Sequence, residues 1–344
     1  MAKLKLGLQL GYWGSKPPAG AMEMVHAAED AGFDSMWTAE AYGSDALTPL
    51  AWWGSQTSKL RIGTAIMQLS ARTPTAAAMA AMSLDYLSNG RFIMGIGASG
   101  PQVVEGWYGQ PYPKPLLRTR EYVEIARKVI EREGPVQYSG SFYKLPYEGG
   151  AGLGKALKST IHPLRTNIPI AIAAEGPKNV ALAAEVADGW FPFWFSPRSN
   201  DFYSKALAEG FAKRSAPSPV QDFEVFCPVP VVIDDDVEAA ANKIRPMIGL
   251  YVGGMGAKDT NFHADVFIRM GYEKECEEIQ GLYLAGRKDE ALAAVTMAMV
   301  EDVALIGPKE RIRDSLERWG ETVVTTMIVG GDLETIRTMA ELTA

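Results

Sequence analysis

The sequence is poor in cysteine, with only Cys227 and Cys276 among its 344 residues. Two cysteines cannot build a disulfide framework, and these two do not stand in the spacing of a metal site. No run of five basic residues occurs, and 34 Lys and Arg against 41 Asp and Glu leave a net charge of −7. This balance gives no support to nucleic-acid binding. No uncharged apolar stretch reaches the ~18 residues that a membrane-spanning helix needs.

Histidine is also scarce: His26, His162 and His263 are far apart in the sequence, and none of them ends a predicted strand. Neither HxH nor HExxH occurs, so we predict no metal site. The nucleophile pattern GxSxG is absent as well. The N-terminus enters an alternating pattern without the apolar core of a signal peptide. We therefore expect a reduced, soluble, cytoplasmic protein that acts on a small molecule, with neither nucleic acid nor membrane as a partner.

A regular alternation of strand-like and helix-like segments runs along the whole chain. From Leu4 to Leu10, leucine alternates with Lys, Gly and Gln, which is the period of a strand. Seven more segments have the composition of strands: Phe33–Ala39, Leu60–Leu69, Phe92–Gly97, Ile168–Ala174, Gly189–Phe195, Phe223–Ile233 and Val323–Val329. Alternation with helices implies parallel pairing. Eight such units favour an α/β fold of the closed (β/α)8 type.

We predict a single domain over residues 1–344, since a barrel of this kind runs from ~200 to more than 400 residues. A doubly wound sheet is disfavoured because the loop after Leu10 lacks a glycine-rich dinucleotide turn. Two segments break the rhythm, one over roughly 134–167 and a mainly helical one over 249–300, and we expect both to be insertions that shape the substrate pocket. Chemistry in such barrels sits at the C-terminal ends of the strands.

Polar side chains follow several of the predicted strands. Gln9 is expected to face the interior, where an amide suits a flat ring, although it could also be a polar residue that fills the barrel. Thr38 and Glu40 end the second strand, and Glu40 is the better placed for acid–base work. Asp45 is short and close to the next helix, which it is expected to cap. Gly63 interrupts the third strand and suggests a bulge.

Two glycine-containing turns follow the fourth and fifth predicted strands. They consist of Gly97, Ala98, Ser99 and Gly100, and of Ala174, Glu175, Gly176 and Pro177. Backbone N–H groups in such turns can hold an anion, and a helix that begins near Pro177 adds the positive end of its dipole. Either turn alone is a weak signal. Together they predict a ligand that carries phosphate.

Six segments carry a resemblance to a known family: LKLGLQL, AAEDAGFDSMWTAEAYGSD, LRIGTAIMQLSARTP, GRFIMGIGASGPQVVEGWYG, IPIAIAAEGPKNVALAAEVADGW and VTTMIVGG. They resemble the bacterial-luciferase-like oxidoreductases, and within them the branch that uses the 5-deazaflavin coenzyme F420. The segments cover all the predicted strands but one. The stretches SGPQVVEGWYG and AAEGP are similar to actinobacterial members. The resemblance implies a luciferase-like TIM barrel that binds F420 at its mouth.

The resemblance also implies which residues hold the cofactor. It places a non-proline cis peptide bond at Ala65–Ile66, in a bulge that presses on the ring, and it places phosphate at the two turns. The implied cofactor contacts are Gln9, Thr38, Glu40, Thr64, Ala65, Ile66, Gln68, Gly97, Ala98, Ser99, Gly100, Ala174, Glu175, Gly176 and Pro177. Because Glu175 replaces a glycine of some relatives, it would bind phosphate through its N–H with its carboxylate turned away.

The match departs from the family at two points. The sugar-phosphate dehydrogenases of this branch carry a catalytic histidine one residue after the position of Glu40, where this sequence has Ala41. Their acidic residue after the fourth strand has no match either, since Pro101 and Gln102 occupy the region. A sugar-phosphate reaction is therefore not expected. Glu40 aligns with an acidic residue of the family and is predicted to be catalytic, by polarising the cofactor or relaying a proton.

These observations predict an F420-dependent oxidoreductase that transfers a hydride between the deazaflavin and an unidentified organic substrate. An FMN-dependent monooxygenase with a partner reductase, and a non-catalytic binding protein for a phosphorylated ligand, are the alternatives. A homodimer is expected because luciferase-like barrels often pair, and helix Pro74–Leu87 suits that contact, although it also suits plain packing on the barrel. Six aromatic residues could line the pocket or belong to the core: Tyr12, Trp13, Trp107, Tyr108, Phe193 and Trp194.

Overall fold

The computed structural model describes residues 4–255 and 261–344, and it confirms the predicted (β/α)8 barrel. Neighbouring strands are parallel and follow one another around the barrel in chain order. The third strand pairs with both the second and the fourth, which closes the sheet. The barrel strands are Lys5–Gly11, Ser35–Thr38, Arg61–Thr64 continued by Met67–Gln68, Phe92–Gly97, Ile170–Ala173, Gly189–Phe191, Glu224–Pro228 and Thr326–Val329.

Helices surround the barrel in two groups. The first group comprises Ala21–Asp30, Leu47–Gly54, Pro74–Leu87, Pro101–Gly106, Pro115–Glu131, Pro177–Val186, Asn200–Phe211, Lys309–Gly320 and Leu333–Thr343. The second group lies between the seventh and eighth strands and comprises Val237–Gly253, Phe262–Arg269, Glu273–Leu284, Lys288–Ala293 and Met297–Val303. Within the described ranges, every helix is too short or too polar to cross a membrane.

The lower part of the barrel interior is filled with aromatic rings. Trp37 lies 5.2 Å from Phe191 and 4.8 Å from Phe226, measured between ring centroids. Glycines on both neighbouring strands make room for its indole: a Cβ atom on Gly63 would lie 2.3 Å from the ring, and one on Gly7 would lie 2.7 Å from Nε1. Because the interior is solid at this level, a ligand can enter only at the mouth above it.

The predicted seventh strand, Phe223–Ile233, is corrected by the structure. The barrel strand ends at Pro228, and Val231–Ile233 pairs instead with Leu305–Gly307 in a separate two-stranded parallel sheet. Proline has no N–H to donate to a strand ladder. The Val229 N–H still donates to the Ile328 carbonyl at 2.9 Å, and the barrel pairing stops at Pro230, after which the chain turns toward the second group of helices.

The second group of helices has a hydrophobic core of its own. Trp194, which follows the sixth strand, packs into this core and ties it to the mouth of the barrel. The predicted insertion boundary at residue 249 falls inside helix Val237–Gly253, so the insertion starts with that whole helix. Residues 256–260 of the predicted insertion lie outside the described residues. The insertion over 134–167 contains a short antiparallel hairpin, Tyr138–Ser139 with Lys144–Leu145.

Candidate active site

A bulge in the third strand forms the floor of the mouth. The strand breaks between Thr64 and Met67, and the Ala65–Ile66 peptide bond is cis. The second strand holds the bulge, because the Ala65 N–H donates to the Thr38 carbonyl at 2.7 Å and the Ile66 carbonyl accepts from the Glu40 N–H at 3.1 Å. Ala65 and Ile66 are only half-buried and rest on the aromatic layer beneath. They offer a flat apolar surface to a ring.

Gly95 on the fourth strand leaves room for this bulge because it has no side chain. The Thr64 hydroxyl donates to the Gly95 carbonyl at 2.7 Å and accepts from its N–H at 3.0 Å, so one side chain replaces the lost strand pairing. A Cβ atom on Gly95 would lie 1.7 Å from the Thr64 carbonyl oxygen. Ile66 covers Gly97 in the same way, with its Cδ1 2.9 Å from where a Cβ would be. The glycines thus fix where the floor lies.

Glu40, the predicted catalytic residue, is held by four hydrogen bonds. Its side chain is 2% exposed. Oε1 accepts from Arg72 Nη1 at 2.6 Å and from the Gln68 N–H at 2.7 Å. Oε2 accepts from Arg72 Nη2 at 2.9 Å and from the Ala46 N–H at 3.0 Å. Each oxygen thus accepts two hydrogen bonds from within the protein, and the carboxylate joins the loop after the second strand to the third strand.

Several buried polar atoms of the third strand and the mouth loops are without a hydrogen-bond partner among the described residues. Gln68 donates from Nε2 to the Glu40 carbonyl at 3.2 Å, but its Oε1 is unpaired. The hydroxyl of Ser70 and the indole Nε1 of Trp13 are also buried without a hydrogen-bond partner. Buried polar groups are rarely left without a partner. A bound ring that carries N–H and C=O groups would supply partners here, so these residues fit a flavin-like ligand. Gln9 is exposed at the end of the first strand.

The two glycine-containing turns stand beside this floor. Helix Pro101–Gly106 begins after Gly100, and helix Pro177–Val186 begins after Gly176, in each case with no side chain bonded to the first turn. In each helix proline supplies no N–H at the first position, and the third N–H donates to the carbonyl of Gly100 or Gly176, at 3.1 and 3.0 Å. The second N–H of each first turn remains for phosphate. Ser99 has a φ of 59° and its carbonyl accepts from the Tyr112 hydroxyl at 2.9 Å, which fixes the first turn.

Five of the six aromatic residues predicted to line the pocket lie at the mouth, and one is buried in the core of the inserted helices. Phe193 lies at the mouth, with its ring centroid 4.9 Å from that of Tyr251, whereas Trp194 is buried in the helical core. The remaining four are exposed or half-buried on mouth loops: Tyr12, Trp13, Trp107 and Tyr108. Burial, together with the nearby Tyr12 hydroxyl, raises the pKa of Tyr251 to about 12. One wall of the mouth is therefore aromatic and carries neutral hydroxyl groups.

His263 also lies at the mouth, although no sequence pattern pointed to it. Its Nδ1 lies 2.8 Å from Oε1 of Glu175, and its ring packs edge-on against Tyr251 and Phe193 at centroid distances of 4.7 and 5.4 Å. The Glu175 carboxylate is turned toward His263, so the turn can still offer its N–H groups to phosphate. No spacing pattern links these two residues, because a helix of the second insertion brings His263 to the mouth.

The geometry can be compared with known proteins. Residues 6–326 match the luciferase-like monooxygenase family. A protein of Mycobacterium tuberculosis, provisionally named a coenzyme F420-dependent oxidoreductase, is 56% identical over 344 residues, which cover 99% of each chain. The structure of a coenzyme F420-dependent tetrahydromethanopterin reductase from Methanopyrus kandleri aligns with a TM-score of 0.82 over 99% of this chain and 98% of that one, at 23% identity. An F420-dependent secondary alcohol dehydrogenase aligns with a TM-score of 0.78 at 18% identity, over 99% and 98%. The chain belongs to the luciferase-like monooxygenase family.

Proposed function

We propose that this protein is a coenzyme F420-dependent oxidoreductase that transfers a hydride between the deazaflavin and a small organic substrate. The observation that carries the proposal is the 56% identity, over the whole length, to a protein named for that activity. The site gives independent support, because an apolar floor, an unpaired amide oxygen on Gln68 and two uncapped helix N-termini lie together at the mouth.

The residues of the mouth would divide the work as follows. Ala65 and Ile66 support the ring, Gln68 hydrogen-bonds its edge, and the turns at Gly100 and Gly176 bind its phosphate. When bound, the deazaflavin supplies a carbon centre that donates or accepts a hydride. The protein mainly excludes water and holds the substrate carbon ~3–3.5 Å from that centre.

Cofactor choice tests the proposal directly. We expect purified protein to bind F420 with a micromolar or lower dissociation constant and FMN much more weakly. The measurement is quenching of tryptophan fluorescence, to which Trp13 on a mouth loop should contribute. The deazaflavin nucleoside without phosphate is the matched ligand control, and it should bind at least roughly tenfold more weakly, which is 1.4 kcal/mol, because the turns lose their ligand. A preference for FMN would contradict the proposal and favour a flavin monooxygenase. If the protein bound neither cofactor, the proposed function would be wrong and only the assignment of the fold would stand.

We also propose that the protein is a homodimer that pairs through helix Pro74–Leu87. Leu87 and Met79 on this helix are 81% and 56% exposed, and Trp52 on the preceding helix, Leu47–Gly54, is 73% exposed. Large exposed apolar side chains are enriched at interfaces.

Light scattering should therefore give the mass of two chains, and Leu87→Lys should shift it toward that of one chain, because a buried lysine charge opposes the contact. Leu153→Lys is the matched control, since Leu153 is 87% exposed in the other insertion. A single-chain mass for the natural protein, or an unchanged dimer in Leu87→Lys, would refute this contact.

A further inference from the structure

His263 stands over the C-terminal ends of two barrel strands. It belongs to helix Phe262–Arg269, and it contacts Glu175, which follows the fifth strand, and Phe193, which follows the sixth. Its side chain is 23% exposed and that of Glu175 is 15% exposed. The pair is thus set into the mouth of the barrel and still open to a ligand there.

The contact with Glu175 determines which ring nitrogen is available. Nδ1 lies 2.8 Å from Oε1 in a charge contact, although its N–H is not aligned with that oxygen for a hydrogen bond. Because a lone pair on Nδ1 would repel the carboxylate at this distance, Nδ1 carries the proton in the neutral ring. The Nε2 atom then has a free lone pair. A carboxylate that orients a histidine in this way leaves the opposite nitrogen ready to take or give a proton.

The surroundings of Glu175 strengthen this pairing. In the part of the chain that the structure describes, His263 is the only ionisable nitrogen within 4 Å of the Glu175 carboxylate, and Oε2 is buried without a partner. The guanidinium of Arg269 donates to the Glu175 backbone carbonyl at 3.1 Å, not to the carboxylate. The carboxylate therefore acts on His263 alone among these groups.

We propose that His263 is the acid–base residue of the reaction and that Glu175 is its positioning residue. In the oxidative direction, a substrate alcohol loses the hydride of its carbon to the oxidised deazaflavin and its hydroxyl proton to Nε2 of His263, and a carbonyl forms. In the reductive direction, the carbonyl carbon receives the hydride and its oxygen receives the proton from protonated Nε2. The inference rests on the proposed function and deepens it.

The proposal limits the class of substrate. A proton donor is needed when hydride transfer leaves negative charge on oxygen or nitrogen, as at a ketone, an aldehyde or an imine. It is not needed when the hydride neutralises a cation. Two positions at the end of the second strand do not compete for this role: Glu40 is saturated by Arg72 and backbone donors, and Ala41 has no proton to exchange.

The first test needs neither cofactor nor substrate. The chain has only three histidines, so ¹⁵N-histidine NMR spectra resolve each ring, and His263→Gln identifies the signals of His263. At a pH about two units above the ordinary histidine value of ~6.5, we expect His263 to carry its proton on Nδ1. Glu175→Gln should shift the ring toward the Nε2-protonated form. Protonation of Nε2 in the natural protein, or a tautomer that ignores Glu175→Gln, would overturn the proposal.

The second test separates this inference from the proposed function. Binding of F420 should change less than about threefold in His263→Gln, whereas turnover with any ketone or alcohol that the natural protein accepts should fall ~10²- to 10⁴-fold, the range of general acid–base catalysis. His26→Gln, which removes an exposed histidine of helix Ala21–Asp30, should change neither. Turnover by His263→Gln within threefold of the natural rate overturns the acid–base role alone. Failure of the natural protein to bind F420 overturns the proposed function itself.

Discussion

Replacing Arg72 by methionine should destabilise the folded protein by about 3 kcal/mol, because it leaves the buried carboxylate of Glu40 without its counter-charge. Removing one partner of a buried ion pair typically costs ~3–5 kcal/mol. The lower end applies here, since the N–H groups of Gln68 and Ala46 still bind the carboxylate and the Arg72 side chain is 18% exposed. Burial alone would lower the pKa of Arg72, but the hydrogen bonds and charge of Glu40 outweigh it and raise the pKa.

Urea unfolding followed by circular dichroism measures the effect. The double variant Glu40→Gln with Arg72→Met should recover much of the loss, because it removes the unpaired charge as well. Arg287→Met is the matched control, since Arg287 pairs with Glu290 on the open surface, where such pairs contribute little; no measurable change is expected. A double variant no more stable than Arg72→Met would show that the buried charge is not the cause. Arg72→Met should also bind F420 more weakly than the natural protein, because Glu40 helps to hold the bulge that supports the ring.

The general architecture followed from local patterns. Alternating leucines in the first strand and apolar runs bounded by glycine in the others predict strands, and regular alternation with helices predicts a closed parallel barrel. Two strands were predicted several residues too long: the sixth ends at Phe191 rather than Phe195, and the seventh ends at Pro228 rather than Ile233. In the seventh, an apolar run hides the fact that Pro228 and Pro230 cannot donate to the ladder. Composition records which residues favour a strand, but pairing depends on each backbone N–H.

The site was less accessible to sequence reasoning, because its contacts join distant segments. Glu40 was recognised as a strand-end carboxylate, yet only the structure brings Arg72 against it. Glu175 was noticed as an unusual residue in a phosphate turn. Its partner His263 was discarded, since it follows no strand and reaches the mouth on an inserted helix. Helix packing, which leaves no local spacing signal, decides such contacts.

Replacing Gly95 by alanine should have the other large effect. The new Cβ would stand 1.7 Å from the Thr64 carbonyl oxygen, which is a backbone atom and cannot rotate away. Forcing an extra carbon into a packed interior typically costs ~1–3 kcal/mol, and more where the backbone must move. We expect a loss of about 3 kcal/mol or more in unfolding free energy. Gly281→Ala is the matched control, because Gly281 lies in helix Glu273–Leu284 with open space beside it, where alanine is favoured by roughly 0.5–1 kcal/mol.

Thr64→Val is a second variant that tests the bulge, and it is needed if Gly95→Ala does not fold. It keeps the shape of the side chain but removes the hydroxyl that pairs with both the N–H and the carbonyl of Gly95. A buried N–H left unpaired costs ~1–3 kcal/mol, so this variant should fold with reduced stability. Because the bulge that it holds supports the ring, F420 should bind at least roughly tenfold more weakly, a change of 1.4 kcal/mol. Normal stability and normal F420 binding in Thr64→Val would mean that the bulge does not depend on this hydroxyl, and the floor would then owe its position to the second strand alone.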